Sequence, residues 1–197
     1  MRRTAQETKE LILNTAIELF SKSGFDGLRV DDLASSAGVN KATIYYHFKD
    51  KSFIFDQILI DMTSKIQDEV NKRQENCKNV MQKLEAFIDA LIYIIKNERM
   101  MAKILMQELG FSGKHLSKDV MQRFLGILKV LISIIDQGVQ EGIFKKVNPI
   151  LLHTTVIGGF NYYLTIKEVL GEKLSVEFEE EEESKLKEMI VAYIKKD

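Results

Sequence analysis

Residues that break helices are scarce in this chain, and this scarcity constrains its fold more than any other feature. One proline, Pro149, and eleven glycines are spread over 197 residues. Between them, apolar residues such as Ile12, Ala16 and Phe20 recur at the spacing of a helix face. The alternation typical of a half-buried strand never continues for more than a few residues. The sequence therefore predicts an all-helical fold.

Capping signals divide the chain into about nine helices. Thr4 and Glu7 form a Thr-x-x-Glu capping box for the first helix, which we expect to end near Gly24. Asn148 followed by Pro149 marks the start of the eighth helix. After the first helix, the predicted helices cover residues 30–37, 41–48, 51–73, 80–96, 100–110, 118–140, 149–170 and 177–195.

Charge, cysteine content and missing motifs exclude several classes of protein. Because 28 Lys and Arg balance 29 Asp and Glu, any contact with DNA must be local. One cysteine, Cys77, and three histidines are too few for a zinc cluster or a disulfide framework, so we expect Cys77 to be an inert thiol. The residues after Met1-Arg2-Arg3 are polar where a signal peptide needs an apolar core, so we expect no signal peptide, and no apolar run approaches the ~20 residues of a membrane span. We expect a cytoplasmic protein without membrane, metal or cofactor and, since no catalytic motif occurs, without enzymatic activity.

Residues 30–48 carry the pattern of a helix-turn-helix. Ala34 and Gly38 lie four residues apart. A small residue at the first position lets two helices cross closely, and glycine at the second permits a left-handed turn between them. The apolar residues that would close a small core beneath both helices are Leu33, Val39, Ile44 and Phe48. In such a motif the second helix enters the major groove of DNA, although plain helix packing is an alternative that the pattern leaves open.

The second helix of this motif has an inner and an outer side. At 100° per residue, Ile44 and Phe48 share the inner side. The outer side and its flanks hold Lys41, Ala42, Thr43, Tyr45, Tyr46 and His47. Thr and Ala are suited to base edges, and Tyr hydroxyls and imidazoles to phosphate oxygens. No acidic residue stands between Asp32 and Asp50, while three lysines fall in or beside this interval, which favours contact with phosphates.

The N-terminal quarter of the sequence resembles the TetR family of bacterial transcriptional regulators. The resemblance extends over about residues 12–54. It rests on the segments AIELF at 16–20, GFDGL at 24–28, DLASSAGV at 32–39, TIYYHF at 43–48 and KDK at 49–51. The resemblance implies a homodimer in which an N-terminal three-helix DNA-binding domain, residues 1–50, precedes a larger ligand-sensing and dimerising helical domain, residues 51–197.

The resemblance also assigns roles to residues of the predicted DNA-binding surface. It implies that Lys41, Ala42, Thr43 and Tyr46 face bases or backbone. It implies that Tyr45, His47 and Lys51 touch phosphates. The chain departs from the family at Arg29, where Thr or Ser commonly caps the second helix, and at Ser52, where Glu is frequent. Arg29 itself is a further candidate for a phosphate contact.

Beyond about residue 55 the resemblance is one of layout. It implies an effector pocket, for which flexible and aromatic apolar side chains are suitable. We predict that the pocket is lined by Met101, Leu105, Phe111, Met121, Phe124, His153, Asn161 and Tyr162. The alternative is that these residues are ordinary core. His115 lies in a predicted loop and is expected to be solvated.

The last two helices are the expected dimer surface. Leu186, Ile190 and Ile194 repeat every four residues and form an apolar stripe. The alternative is that the stripe packs inside one subunit. The sequence as a whole predicts a repressor that leaves a palindromic double-stranded operator when a small, largely apolar effector binds. The rival hypothesis is a helical small-molecule-binding protein with a vestigial helix-turn-helix.

Overall fold

The predicted all-helical fold is confirmed. The computed structural model describes residues 3–177 and 181–196, and within these ranges it contains nine helices. Their bounds are α1 Ala5–Gly27, α2 Val30–Ala37, α3 Lys41–His47, α4 Lys51–Gln74, α5 Val80–Asn97, α6 Arg99–Gly110, α7 Lys118–Gln140, α8 Pro149–Leu174 and α9 Glu182–Ile194. None of the helices in the described ranges is both long and apolar enough to span a bilayer.

The first helix begins as predicted but ends later. Thr4 accepts a hydrogen bond from the Glu7 amide at 3.1 Å, and its own amide donates to the Glu7 carboxylate at 2.7 Å, which completes the capping box. Gly24 interrupts the helix with φ 68° and ψ −176°, a backbone conformation that favours glycine. A further short turn then continues to Gly27. The interruption redirects the chain, so the residues after Gly24 leave the axis of α1.

The packing of the chain forms two compact units whose limits differ from a division at residue 50. The first unit comprises residues up to Ser64 together with Glu98–Arg123, and the second comprises Lys65–Asn97 together with residues from Phe124 onward. The first unit includes α6 because α1 packs against it as well as against α2. The domains 1–50 and 51–197 stay a prediction, and they do not coincide with these units.

The first unit has a core built mainly by the N-terminal helices. Its fully buried aromatic rings belong to Phe20, Phe48 and Phe55. The Phe55 ring meets the Phe20 ring edge to face, with centroids 5.1 Å apart. Burial of large rings supplies much of the stability of a small helical unit. One side of α3 packs against this core, and the opposite side is exposed to solvent.

The second unit is organised around α8, which packs against α5 and α9. Asn148 caps α8 by accepting a hydrogen bond from the Ile150 amide at 2.9 Å, as predicted. The segment after α7 pairs with the end of α9, where the Lys145 amide donates to the Ile194 carbonyl at 2.8 Å. The predicted α9, 177–195, is shorter in the structure, and residues 178–180 of that prediction lie outside the described residues.

Candidate nucleic-acid interface

The turn between α2 and α3 has the geometry that the helix-turn-helix pattern predicts. Gly38 ends α2 in the left-handed conformation, with φ 63° and ψ 35°. The Val39 amide then donates to the Ala34 carbonyl at 3.0 Å, which closes the turn. Asn40 begins α3, since its side chain accepts a hydrogen bond from the Thr43 amide at 2.7 Å. The two short helices are thus held by local hydrogen bonds.

One side of α3 is buried and the other is open. Ile44 and Phe48 are buried in the core of the first unit. Tyr46 is 80% exposed, and Tyr45 and Ala42 are also exposed. The His47 ring is partly covered and meets the Tyr46 ring edge to face at 5.1 Å. These side chains have the orientation expected from the helical wheel, while their contact with DNA stays a prediction.

Two predicted DNA contacts already have partners within the chain. The Lys41 ammonium donates to Asp31 at 3.0 Å, and this hydrogen bond is the main reason that the pKa of Lys41 is raised. The Thr43 hydroxyl donates to the Asn40 side chain at 2.8 Å. Both pairs are at the surface, where water competes for them. Arg29 is exposed at the start of α2 and its side chain makes no capping bond there.

Lys51 is placed differently from a free phosphate-binding lysine. Its ammonium donates to the carbonyls of Phe25 at 2.9 Å and Leu28 at 3.1 Å. It also lies 4.2 Å from the centroid of the Phe25 ring, a cation–π contact. Two of its three N–H groups are therefore used inside the chain. The structure gives Lys51 a role in joining α4 to the turn between α1 and α2, and a phosphate would have to compete with that role.

We expect Lys51→Met to destabilise the protein rather than to change its electrostatic attraction to DNA. The variant keeps the apolar stem but loses two charge-assisted hydrogen bonds, which should cost about 2 kcal/mol in the free energy of unfolding. Urea unfolding measures this loss. Lys49→Met, at an exposed neighbouring lysine, is the control and should leave stability nearly unchanged. If Lys51→Met instead flattens the salt dependence of DNA affinity with no loss of stability, Lys51 is a phosphate ligand.

The predicted pocket residues are divided between the two compact units. Met101, Leu105, Phe111 and Met121 belong to the first, and Phe124, His153, Asn161 and Tyr162 to the second. Met101 is buried core, whereas Phe111, Met121 and Tyr162 are exposed. The Asn161 amide donates to the Ile157 carbonyl of its own helix. Because their rings are open to solvent, Phe111 and Tyr162 are surface residues of the subunit and not walls of an interior cavity.

The predicted dimer stripe is largely used up inside the subunit. Ile190 is only 7% exposed and Ile194 is fully buried, while Leu186 is half-buried. A second copy cannot cover side chains that this chain already covers, so Ile190 and Ile194 are not available to it, and the dimer surface itself stays a prediction. The residues of α9 that are open are Met189, 70% exposed, and Tyr193, 69% exposed.

His115 is not solvated, contrary to expectation. Its ring stacks on the Phe25 ring with centroids 4.0 Å apart. Its Nδ1 lies 3.1 Å from a carboxylate oxygen of Glu108, and its Nε2 lies 3.4 Å from Asp26. Glu108 is itself buried. No local pattern in the sequence indicates this cluster, because Phe25 and Asp26 reach His115 only through the packing of α6 on α1.

Two family models together match most of the chain. Residues 12–58 match the model of bacterial regulatory proteins of the tetR family. Residues 81–194 match the model of the tetracycline-repressor-like C-terminal domain. The first match contains the helix-turn-helix with its exposed α3, and the second contains the predicted effector and dimer regions.

Curated relatives are similar over unequal lengths. The HTH-type transcriptional regulator YhgD of Bacillus subtilis is 27% identical over 144 residues, which are 73% of this chain and 75% of that protein. AcrR of Shigella flexneri is 44% identical over 57 residues, or 29% of this chain and 26% of its own length. IcaR of Staphylococcus aureus, a negative regulator of the biofilm operon icaADBC, is 47% identical over 49 residues, or 25% and 26%. The chain thus matches about a quarter of AcrR and of IcaR.

Solved structures share the fold over nearly the whole chain. A TetR family transcription regulator from Marinobacter aquaeolei has a TM-score of 0.78 at 17% identity, covering 96% of both chains. The ketosteroid transcriptional regulator KstR2 of Mycobacterium tuberculosis has a TM-score of 0.72 at 18% identity, covering 96% of this chain and 95% of its own. At such identities the likeness shows the fold alone.

Proposed function

Because the chain belongs to the TetR family of bacterial transcriptional regulators, we propose that it is a homodimeric repressor that a small, largely apolar effector releases from a palindromic operator. The observation that carries this proposal is the exposure of α3. Its inner side is buried, while Ala42, Tyr45 and Tyr46 on its outer side are exposed. A helix held from below and open outward is what insertion into a major groove requires. We propose no enzymatic activity for the chain.

Selection of bound duplexes from a random pool tests the DNA-binding part of the proposal. A dimer should select two half-sites related by a two-fold axis, with centres one helical turn, about 34–36 Å, or a multiple of it apart. The rival hypothesis, a helical small-molecule-binding protein with a vestigial helix-turn-helix, expects no enrichment over random sequence. A selected site with a single half would retain DNA binding but remove the dimer from the mechanism.

A second copy of the chain is the partner that the outer face of α8 fits. At 100° per residue, Leu151, Tyr162 and Val169 fall within about 20° of one another, and all three are exposed. The buried residues of α8, on the opposite side, are Leu152, Val156, Phe160 and Leu164. An apolar face left open opposite a buried one is suited to a helix-to-helix interface. Met189 and Tyr193 are exposed on α9, so this helix also has large apolar side chains open to a partner.

Gly158 lies on this open face, and packing within the chain does not require it. A Cβ built at Gly158 meets no atom within 4 Å. Glycine inside a helix costs about 1 kcal/mol relative to alanine. A partner helix that approaches closely would account for a glycine at this position.

We therefore expect Gly158→Ala to have opposite effects on the subunit and on the dimer. Alanine should stabilise the isolated subunit by about 1 kcal/mol but weaken dimerisation on the order of tenfold, because the added methyl overpacks a close interface. Sedimentation gives the dimer dissociation constant. Gly126→Ala is the matched control, since Gly126 is an exposed glycine of α7 whose Cβ also meets nothing within 4 Å. A dimer of Gly158→Ala as tight as the wild type would contradict the proposed interface.

The effector is proposed to be small and largely apolar, with at most a few polar groups. His153, on α8, supports this choice, because burial lowers its pKa and keeps the ring uncharged near neutral pH. A neutral imidazole is able to make one directed hydrogen bond to an otherwise apolar molecule. Screening apolar compounds for release of the protein from selected DNA tests this part. Compounds that bind without affecting DNA affinity would favour the rival hypothesis.

Release requires more than occupancy of the effector site. An effector lowers operator affinity only if it binds more tightly to an arrangement in which the two α3 helices no longer match successive major grooves. By the same linkage, operator DNA must lower the affinity for the effector by an equal factor. Titrations of effector with and without operator DNA therefore check the mechanism as well as the binding.

A further inference from the structure

The side chain of Phe25 joins three parts of the first compact unit. The residue follows the interruption of α1 at Gly24. The ammonium of Lys51, in the first turn of α4, lies 4.2 Å from its ring centroid, and the His115 ring stacks on it at 4.0 Å with an interplanar angle of 21°. Its edge meets Phe55 of α4 at 5.1 Å. The ring of Phe25 is thus held by α4 and by the segment between α6 and α7.

His115 is itself fixed from the side of α6. Its backbone N–H donates to one carboxylate oxygen of Glu108 at 2.7 Å, and its Nδ1 faces the other at 3.1 Å. Glu108 is only 4% exposed. A buried carboxylate is costly unless it is hydrogen-bonded, so the pairing with His115 stabilises both groups in one arrangement. The ring therefore has a defined position and not a range of rotamers.

The same segment is attached to α1 and α4 at two further points. The Nε2 of His115 lies 3.4 Å from the Asp26 carboxylate. Asp56 of α4 faces Ser117: burial raises the pKa of the Asp56 carboxyl, and hydrogen bonding by Ser117 opposes that rise. Residues 108–117 consequently bridge the end of α1 and the beginning of α4. These are the two elements that lead into and out of the helix-turn-helix.

We propose that His115 is a positioning residue for DNA recognition, which fixes the turn between α1 and α2 against α4 through Phe25, so that α3 is presented in one orientation. The inference rests on the proposed function. If the ring is removed, Phe25 and Lys51 lose a constraint, and the orientation of the helix-turn-helix must be restored when DNA binds. The entropy of that ordering lowers the affinity for a specific site.

The test compares His115→Ala with the wild type by hydrogen exchange and by DNA affinity. Amides of residues 24–30 and 51–56 should exchange at least tenfold faster, while those of 33–44 keep their protection. Affinity for the selected operator should fall on the order of tenfold, and affinity for a random duplex should change less than twofold, because the phosphate-facing side chains remain. Lys114→Ala, an exposed residue of the same turn, is the matched control and should change neither quantity.

Each result decides the proposal. Unchanged amide exchange at residues 24–30 would show that His115 does not hold Phe25 against α4, which is the clamp proposed here. Faster exchange with unchanged operator affinity would overturn the positioning role. If His115→Ala fails to fold, Glu108→Gln keeps the size of the side chain, removes its charge and should change both quantities in the same direction. A wild type that selects no sequence would overturn the proposed function and the positioning role together, whereas the exchange comparison, which needs no DNA, would still decide whether the clamp exists.

Discussion

The double variant Met189→Glu/Tyr193→Glu is expected to be a folded monomer that has lost specific DNA binding. Both side chains are about 70% exposed on α9, so two carboxylates there disturb nothing inside the subunit. In an apolar interface, however, each charge without a partner is strongly unfavourable. A monomer presents one α3 instead of two, and operator affinity should fall toward the nonspecific level, on the order of a thousandfold or more. Sedimentation and binding to the selected operator measure the two effects.

Two comparison variants test whether the expected dissociation is specific to the exposed face of α9. Met100→Glu introduces a carboxylate at an exposed methionine of α6 and should leave the dimer and its operator affinity intact. Ile190→Glu places the charge at a side chain that is buried inside the subunit. It should therefore unfold the second unit instead of only dissociating the dimer. A double variant that remains dimeric would remove α9 from the interface. A wild type that is monomeric at micromolar concentration would remove the two-half-site mechanism.

The helices and several of their caps are predictable because they depend on neighbours in sequence, whereas some helix ends, those of α1, α8 and α9 among them, differ from the prediction. The capping box at Thr4, the Asn40 and Asn148 caps and the left-handed Gly38 each involve groups within a few residues. The same holds for the inner and outer sides of α3, since buried Ile44 and Phe48, the residue that ends the helix, lie one turn apart. Local hydrogen bonds and helical periodicity were sufficient for these features.

Tertiary partners explain what the sequence analysis did not predict. The periodic stripe of α9 correctly marked an apolar face, but periodicity does not tell whether the same chain or a second copy covers it. Likewise, nothing near Lys51 in sequence indicates that carbonyls some 25 residues earlier accept its N–H groups. The sequence predicts a solvated His115 because two of its partners, Phe25 and Asp26, reach it only when α6 packs on α1. In each case the missing information is long-range packing.

Tyr46→Ala is expected to change which sequences the protein prefers. Tyr46 projects from the middle of the open side of α3, where base edges lie when such a helix enters the major groove. Loss of a base contact should cost about 1–3 kcal/mol at the base pairs it reads. Affinity for the selected operator should therefore fall roughly tenfold or more, while affinity for random DNA and the salt dependence of binding change little.

Tyr45→Ala is the matched comparison, because the two tyrosines are adjacent and both exposed. Tyr45 lies on the flank of α3, where we expect its hydroxyl to reach phosphate, so its loss should weaken binding to all sequences by a similar factor. Repeating the selection with each variant separates the two roles. Relaxed preference at defined positions of each half-site is expected for Tyr46→Ala and an unchanged consensus for Tyr45→Ala. If Tyr46→Ala retains the wild-type consensus and binds every duplex equally more weakly, Tyr46 contacts the backbone, and α3 lies in the groove at a different rotation about its axis.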